Sequence, residues 1–189
     1  MTDVAEISII TPVWNGQPYI KECVESVLSQ DFANWEMLIG DNKSTDGTRE
    51  YLDQLNDPRI RVFKHDKNLG IYGNLNFLLS KARSSFVYFL CADDYFLPSA
   101  LRRVVDEWNS APSNTGAICF NKETIKYSKL MRYSYNVLPR QIDPAAARLA
   151  FFLFGCFPGN LSIMSVKYEA ASGGFSEKFT TAGDFEMWS

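Results

Sequence analysis

Three short segments of this chain carry reactive side chains immediately after apolar runs: Thr11-Pro12-Val13-Trp14-Asn15, Asp41-Asn42-Lys43-Ser44-Thr45-Asp46-Gly47-Thr48 and Cys91-Ala92-Asp93-Asp94. Carboxylates stand out among them. No GxGxxG follows the first apolar run and no GxxxxGK[ST] occurs anywhere, so the glycine-rich cradles for phosphate are missing. A site of this composition reaches a diphosphate through a bridging cation. Asp93 and Asp94 are adjacent and repel each other unless a cation or protons compensate. Hard oxygen donors suit Mg²⁺ or Mn²⁺, and such a cation would neutralise charge on a departing diphosphate. The plainer reading of the pair is a set of acids at the start of the helix that Pro98 opens. Asp41 can accept a hydrogen bond from a nucleobase N–H or a ribose hydroxyl, or can close an Asx-turn. Asp46-Gly47 reads as a cap and tight turn, and Lys43 as a phosphate contact or a solvated loop lysine. His65 is the single histidine, so a His-containing metal cluster or triad has no second member; it reads as a strand-end structural residue. Asp184, in Ala182-Gly183-Asp184-Phe185-Glu186-Met187-Trp188, is one of 22 acidic residues and nothing local marks it.

The elements that must position these residues follow from periodicity. Ile7 to Thr11 is a β-branched run ended by Pro12, as in a buried parallel strand. Ile20, Cys23, Val24, Val27 and Leu28 line one face of a helix over 19–30. Strands are predicted over 36–39, 60–64 and 86–90. Helices follow after Asp46 to about Leu55, over 72–83, and from Pro98 through Asn109. This alternation predicts a single-domain α/β fold: a Rossmann-like, mostly parallel sheet with helices on both faces and right-handed crossovers. Ligands bind at the carboxyl edge of such a sheet, where the three polar segments fall. Beyond residue 115 the pattern weakens. A strand over 117–121, a hairpin-like excursion over 122–135, a helix over 144–154, a strand over 162–166 and a turn at Gly173-Gly174-Phe175 are expected. The aromatic-rich segment 151–157 reads as core.

The bulk properties exclude other classes. The chain has 189 residues, is 46% hydrophobic and 22% charged, and carries a net charge of −3 without blocks of like charge. A nucleic-acid partner has no basic footprint here. Cys23, Cys91, Cys119 and Cys156 form no CxxC pair; a reducing cytoplasm and burial as small hydrophobes are expected. The longest apolar run, 149–157, is too short to span a bilayer, and the N-terminus lacks a basic signal-like region.

Taken together, I-S-I-I-T-P-V-W-N-G (7–16), D-N-K-S-T-D-G-T (41–48), N-L-G (68–70), A-D-D-Y-F-L-P (92–98), G-G-F-S-E-K-F (173–179) and G-D-F-E-M-W (183–188) resemble the family-2 glycosyltransferases of GT-A fold. The resemblance covers residues 7–188. It implies an inverting, metal-dependent enzyme using Mn²⁺ or Mg²⁺. Its donor is a nucleoside-diphosphate sugar, often a UDP-sugar, and its acceptor is a saccharide or a lipid-linked glycan in surface-polysaccharide assembly. By motif position it places the nucleotide on Thr11, Pro12, Val13, Asn15, Asp41, Asn42, Ala92 and Asp93. The metal falls on Asp93 and Asp94, and Asp184 becomes the base that deprotonates the acceptor. Cys91 stands at the first position of the family's D-x-D, Leu75 where an Arg often precedes Asn76, and Gly183 where an acid often precedes the base. The resemblance also implies a nucleotide-sugar-binding half over 1–115 and an acceptor-side half over 116–189. The second half is expected to be incomplete, because family members normally continue past the base. A cytoplasmic enzyme, at the inner face of the membrane if it docks peripherally, is the expectation. The alternative is a truncated, non-catalytic nucleotide-sugar-binding module.

Overall fold

The computed structural model describes residues 5–120, 122–126, 129–133, 164–171 and 173–175. In chain order the elements are β1 (Ile7–Val13), α1 (Ile20–Leu28), β2 (Trp35–Asp41), α2 (Thr48–Leu52), β3 (Ile60–Lys64), α3 (Gly70–Leu79), β4 (Phe86–Phe89), α4 (Ala100–Ser110), β5 (Ala117–Cys119), β6 (Lys122–Lys126), β7 (Lys129–Tyr133), β8 (Met164–Lys167) and α5 (Tyr168–Ala171). Six strands form one sheet in the order β3-β2-β1-β4-β8-β5, and β6-β7 form a separate hairpin. The pairs β3-β2, β2-β1 and β1-β4 are parallel. β8 runs antiparallel between β4 and β5.

Helices on both faces bury this sheet, which explains why its central strands are apolar throughout. Ile7, Ile9, Val13, Met37, Ile39 and Tyr88 pack against Val24 and Val27 of α1, Leu52 of α2 and Val104 and Trp108 of α4. Ile10, Leu38, Val87, Phe89 and Val166 pack on the other face with Leu75 and Leu78 of α3, Ala171 of α5 and Phe175. A fully buried Ile or Leu in such a layer contributes about 1.5–3 kcal/mol.

Several sequence-based boundaries move, each for a physical reason. β1 does not stop at Pro12 but runs to Val13, paired with Asp41. Its ladder with β4 ends at the Ile10–Phe89 pair, and the Leu90 N–H donates to Ile10 O. The Asn42 N–H donates to Val13 O on the β2 side. By strand alternation the Pro12 nitrogen faces the side where no ladder remains, so its missing N–H removes no bond. Leu28, expected on the apolar face of α1, is exposed. α2 ends at Leu52, α3 begins at Gly70 and α4 begins at Ala100 after Ser99, whose φ of 61° excludes the preceding residues from the helix. The expected helix over 144–154 and the 151–157 segment lie outside the described residues.

From β1 the chain proceeds outward to β2 and β3, then returns to place β4 on the other side of β1. The carboxyl ends of β1 and β4 therefore flank the topological switch point, where an open α/β sheet forms its ligand crevice. No helix among the described residues is long and apolar enough to cross a membrane.

Candidate functional site

The loops after β1 and β2 are stitched together by bonds between residues about 30 apart in sequence. Asn15 adopts a left-handed backbone (φ 50°), its N–H donates to Ser44 Oγ at 2.8 Å, and its Oδ1 accepts the Thr45 N–H at 2.8 Å. The Gly16 N–H donates to Thr48 Oγ1 at 3.0 Å, and the Gln17 N–H to Asp46 Oδ2 at 3.0 Å. Asp46 Oδ1 also accepts the Thr48 N–H at 3.0 Å, which starts α2. The N-cap itself is Gly47 and not Asp46 as expected from sequence; Asp46 sits one residue earlier, where it braces the first helical residue and ties down the first loop. Partial burial opposes ionisation of Asp46, but the bonds from Thr48 and Gln17 outweigh it, so its carboxyl titrates below the usual value. Gly16 permits the close crossing: a Cβ there would lie 2.6 Å from Val13 Cγ2, and 3.7 Å from the Ala92 Cβ of the β4 loop.

Beneath this lattice lies Asp41, fully buried at the end of β2. Its Oδ1 accepts the Ser44 N–H at 3.0 Å, and its Oδ2 accepts Arg49 Nε of α2 in an ion pair. The Arg49 Nη2 continues to His65 O at 2.7 Å. Asn42, also buried, has its amide occupied: Nδ2 donates to Asn68 Oδ1 at 2.8 Å and Gly70 O at 3.1 Å, and Oδ1 accepts the Leu69 N–H at 2.7 Å. Asn42 therefore fixes the 68–70 turn, whose Gly70 has a φ of 73°. One strand residue back, Gly40 lets α3 approach; Asn74 Nδ2 donates to Gly40 O at 2.7 Å. That bond turns Asn74 Oδ1 toward His65 Nε2 at 2.9 Å, so Nε2 carries the imidazole proton. His65 holds the structural, strand-end role expected of it.

The loop after β4 is built differently. Asp93 is exposed, Asp94 and Cys91 are half-buried, and the ligand atoms of all three lie within 4.8 Å of one another. The Asp94 N–H donates to Cys91 O at 3.0 Å, closing the turn that gathers them. Below it, buried Cys23 of α1 points its thiol at Cys91 O, 3.7 Å away. Burial pushes the Cys23 thiol well above its usual range, and the neighbouring Cys91, Asp94 and Asp93 push it the same way. The C-terminal end of α1 then anchors the rest of the segment. Ser26 Oγ accepts the Phe96 N–H at 3.0 Å, and Gln30, two residues past α1, bridges Leu97 O (3.0 Å) and the Leu101 N–H (3.0 Å), so its side chain caps α4.

Of the residues expected to hold a nucleotide, Asn15 and Asp93 are exposed at the switch point and Ala92 is half-buried beside them. Thr11, Pro12, Val13, Asp41 and Asn42 are buried within the scaffold of the same edge. Thr11 Oγ1 has no hydrogen-bond partner among the described residues. Asp93 and Asp94 are brought together with Cys91, and the two carboxylates supply the hard oxygen donors that a divalent cation such as Mg²⁺ or Mn²⁺ takes. The expectation that the cysteines are buried hydrophobes holds for Cys23 alone among the described ones; Cys119 is exposed. Asp184 and Cys156 lie outside the described residues. Sequence reasoning missed Arg49 and Gln30, whose roles depend on contacts across space that no local pattern announces. A cavity of about 450 Å³ lies between α1 and the segment after Asp94, lined by Glu22, Glu25, Ser26, Tyr95 and Phe96. Neither Asp41 nor Asp93 lines it.

Comparison with known proteins accords with this layout. The sequence profile of Glycosyl transferase family 2 matches residues 8–169. The putative teichuronic acid biosynthesis glycosyltransferase TuaG of Bacillus subtilis (strain 168) is 39% identical over 102 residues, 53% of this chain and 40% of TuaG. The UDP-Glc:alpha-D-GlcNAc-diphosphoundecaprenol beta-1,3-glucosyltransferase WfgD of Escherichia coli is 36% identical over 95 residues, 50% of this chain and 38% of WfgD. The alignments thus span well under half the length of these relatives. Among solved structures, S. aureus TarS 1-349 in complex with UDP-GlcNAc superposes with a TM-score of 0.78 at 19% identity, over 97% of this chain and 52% of that one. Mannosyltransferase PcManGT from Pyrobaculum calidifontis, in complex with GDP-Man and Mn2+, superposes with a TM-score of 0.70 at 22% identity, over 98% of this chain and 51% of that one. These two likenesses establish the GT-A fold. With a family profile spanning most of its length and a sheet that presents its acids at the switch point, the chain belongs to glycosyl transferase family 2.

Proposed function

We propose that this chain binds a nucleoside-diphosphate sugar, most simply a UDP-sugar, across the switch point and transfers the sugar with inversion to a saccharide or lipid-linked acceptor. The observation that carries the reading is the gathering of Cys91, Asp93 and Asp94 in the β4 loop, beside the β1 loop that is stitched to the loop after β2. Asp93 and Asp94 would hold Mn²⁺ or Mg²⁺. A bound divalent cation supplies Lewis-acid neutralisation of charge on a departing diphosphate.

The chain's own residues do the rest. Asn15 and Ser44 shape the rim on which the nucleoside rests, and buried Asp41, whose two oxygens accept the Ser44 N–H and the Arg49 guanidinium, holds that rim in place from beneath. Asp184 is assigned the base by motif position alone: its carboxylate takes the acceptor hydroxyl's proton as that oxygen attacks the anomeric carbon. Neither a covalent intermediate nor a second titrating partner is needed. The names of TuaG, a putative teichuronic acid biosynthesis enzyme, and WfgD, which acts on a diphosphoundecaprenol-linked sugar, support a polysaccharide or lipid-linked acceptor.

A thermal-shift screen across UDP-, GDP- and dTDP-sugars, with and without Mn²⁺, tests the reading. A cognate donor at about 100 times its Kd stabilises the fold by ~2.7 kcal/mol. Absence of any nucleotide-dependent shift contradicts the proposal. Binding without turnover assigns the chain to the non-catalytic alternative.

A further inference from the structure

We propose that Asn76 is a positioning residue for the transfer step: its side-chain amide locks the backbone of Phe175 onto α3, and so registers the stretch that leads to Asp184 against the donor-binding edge. The inference rests on the proposed nucleotide-sugar reading and concerns how the acceptor side of that reaction is held. Asn76 and Phe175 are 99 residues apart, yet they share two bonds. The Phe175 N–H donates to Asn76 Oδ1 at 2.6 Å, and Asn76 Nδ2 donates to Phe175 O at 2.8 Å. One side chain thus pairs with both polar groups of one residue, as a neighbouring strand would. The same helix is tied to the β2 edge, where Asn42 donates to Gly70 O and Asn74 donates to Gly40 O. α3 therefore holds the nucleotide side near its start and Phe175 a few residues on.

The residues before Phe175 are shaped to this lock. The Gly174 N–H donates to Ala171 O at 2.9 Å, and Gly174 takes a φ of 68°. A Cβ at Gly174 would lie 2.8 Å from Asn76 Oδ1, so glycine serves both the turn and the close approach. The Phe175 ring is buried, stacked on Tyr72 of α3 at 5.7 Å and set edge-on to Phe89 of β4 at 5.5 Å. Phe89 ends the strand from which the acidic loop departs. The ring alone would supply burial. The two amide bonds add register, because a slip of the chain by one residue breaks both.

The test compares Asn76→Ala and Gly174→Ala with the parent, each as the whole chain. Three quantities are measured: affinity for the nucleoside diphosphate that the thermal-shift screen selects, hydrogen exchange of the Phe175 amide, and kcat and KM for release of that diphosphate from its sugar donor. Val104→Ala, an apolar truncation on the opposite face of the sheet, controls for lost stability alone. Both lock variants should keep nucleotide affinity within about twofold and exchange the Phe175 amide at least about tenfold faster. Their kcat should fall at least about tenfold with KM held, while Val104→Ala keeps the parent kcat. Unchanged exchange at Phe175, an unchanged kcat, or a loss of nucleotide affinity as large as the loss of kcat overturns the inference and leaves the nucleotide-sugar reading standing. The same fall of kcat in Val104→Ala reduces Asn76 to a structural residue and also overturns it. A parent chain that binds no nucleotide, or binds one without turnover, removes the proposed catalysis and this inference with it.

Discussion

Asp41 and Asp93 both follow apolar strands at the same edge of one sheet, yet the fold treats them oppositely. Asp41 is fully buried and held by the Ser44 N–H and the Arg49 guanidinium. Asp93 is exposed, in a loop whose turn gathers two further metal-capable side chains. Sequence position alone makes them equivalent. The difference lies in what crosses over each: the β1 and β2 loops stitch together above Asp41, whereas the β4 loop is held from below and at its far end by Cys23, Ser26 and Gln30. One half of the site is therefore a hydrogen-bonded cradle, and the other carries an exposed carboxylate, Asp93, at the sheet edge. Stability and ligand binding should separate accordingly.

The largest effect should come from Asp41→Ala, which leaves Arg49 half-buried without its carboxylate and the Ser44 N–H without its acceptor. A loss of about 3–4 kcal/mol in urea unfolding is expected. A loss below about 1 kcal/mol would mean the cradle does not depend on this ion pair. Gly40→Ala should follow at about 1–3 kcal/mol, because the new Cβ would sit 2.1 Å from Asn74 Oδ1 and displace the α3 side chain that orients His65. Gln30→Ala removes the cap of α4 and should cost about 1 kcal/mol, comparable to loss of an N-cap. If Gln30 anchors the acidic loop, that variant should also weaken Mn²⁺, with Gln30→Glu recovering the Leu101 bond but not the Leu97 one.

A smaller effect concerns acid. The Asp46 carboxyl is depressed below its ordinary value of 3.8 in the folded chain. Its contribution is therefore fully present above that ordinary value and is lost as pH falls through the depressed folded one. Asp46→Asn should flatten the acid limb of the stability profile by less than about 1 kcal/mol, given its partial exposure. An acid limb steeper than that of the parent chain would contradict the assignment.

Much of the edge was legible in sequence because parallel strands are apolar runs and the residues after them are not. The positions of Asp41, Asp93 and Asp94 at strand ends needed only that pattern. What lay beyond it was environment. Nothing in type or spacing indicates that Arg49 turns back from α2 onto Asp41, or that Asn42 gives its whole amide to residues 68–70. Pro12 looked like a terminator because its nitrogen cannot donate; which side of the strand it faces is set by where β4 stops. Cys91 read as a missing carboxylate, and the fold gathers it with Asp93 and Asp94.

The central claim is that the acids after β4 bind the donor's diphosphate through a cation, with exposed Asp93 contributing little to the fold. Calorimetric titration of UDP with and without Mn²⁺, on the parent chain and on Asp93→Ala, tests it most directly. The account predicts that Mn²⁺ tightens UDP binding in the parent chain and not in Asp93→Ala, with unfolding free energies within about 0.5 kcal/mol of each other. Equal Mn²⁺-dependent tightening in both proteins, or none in either, would contradict it.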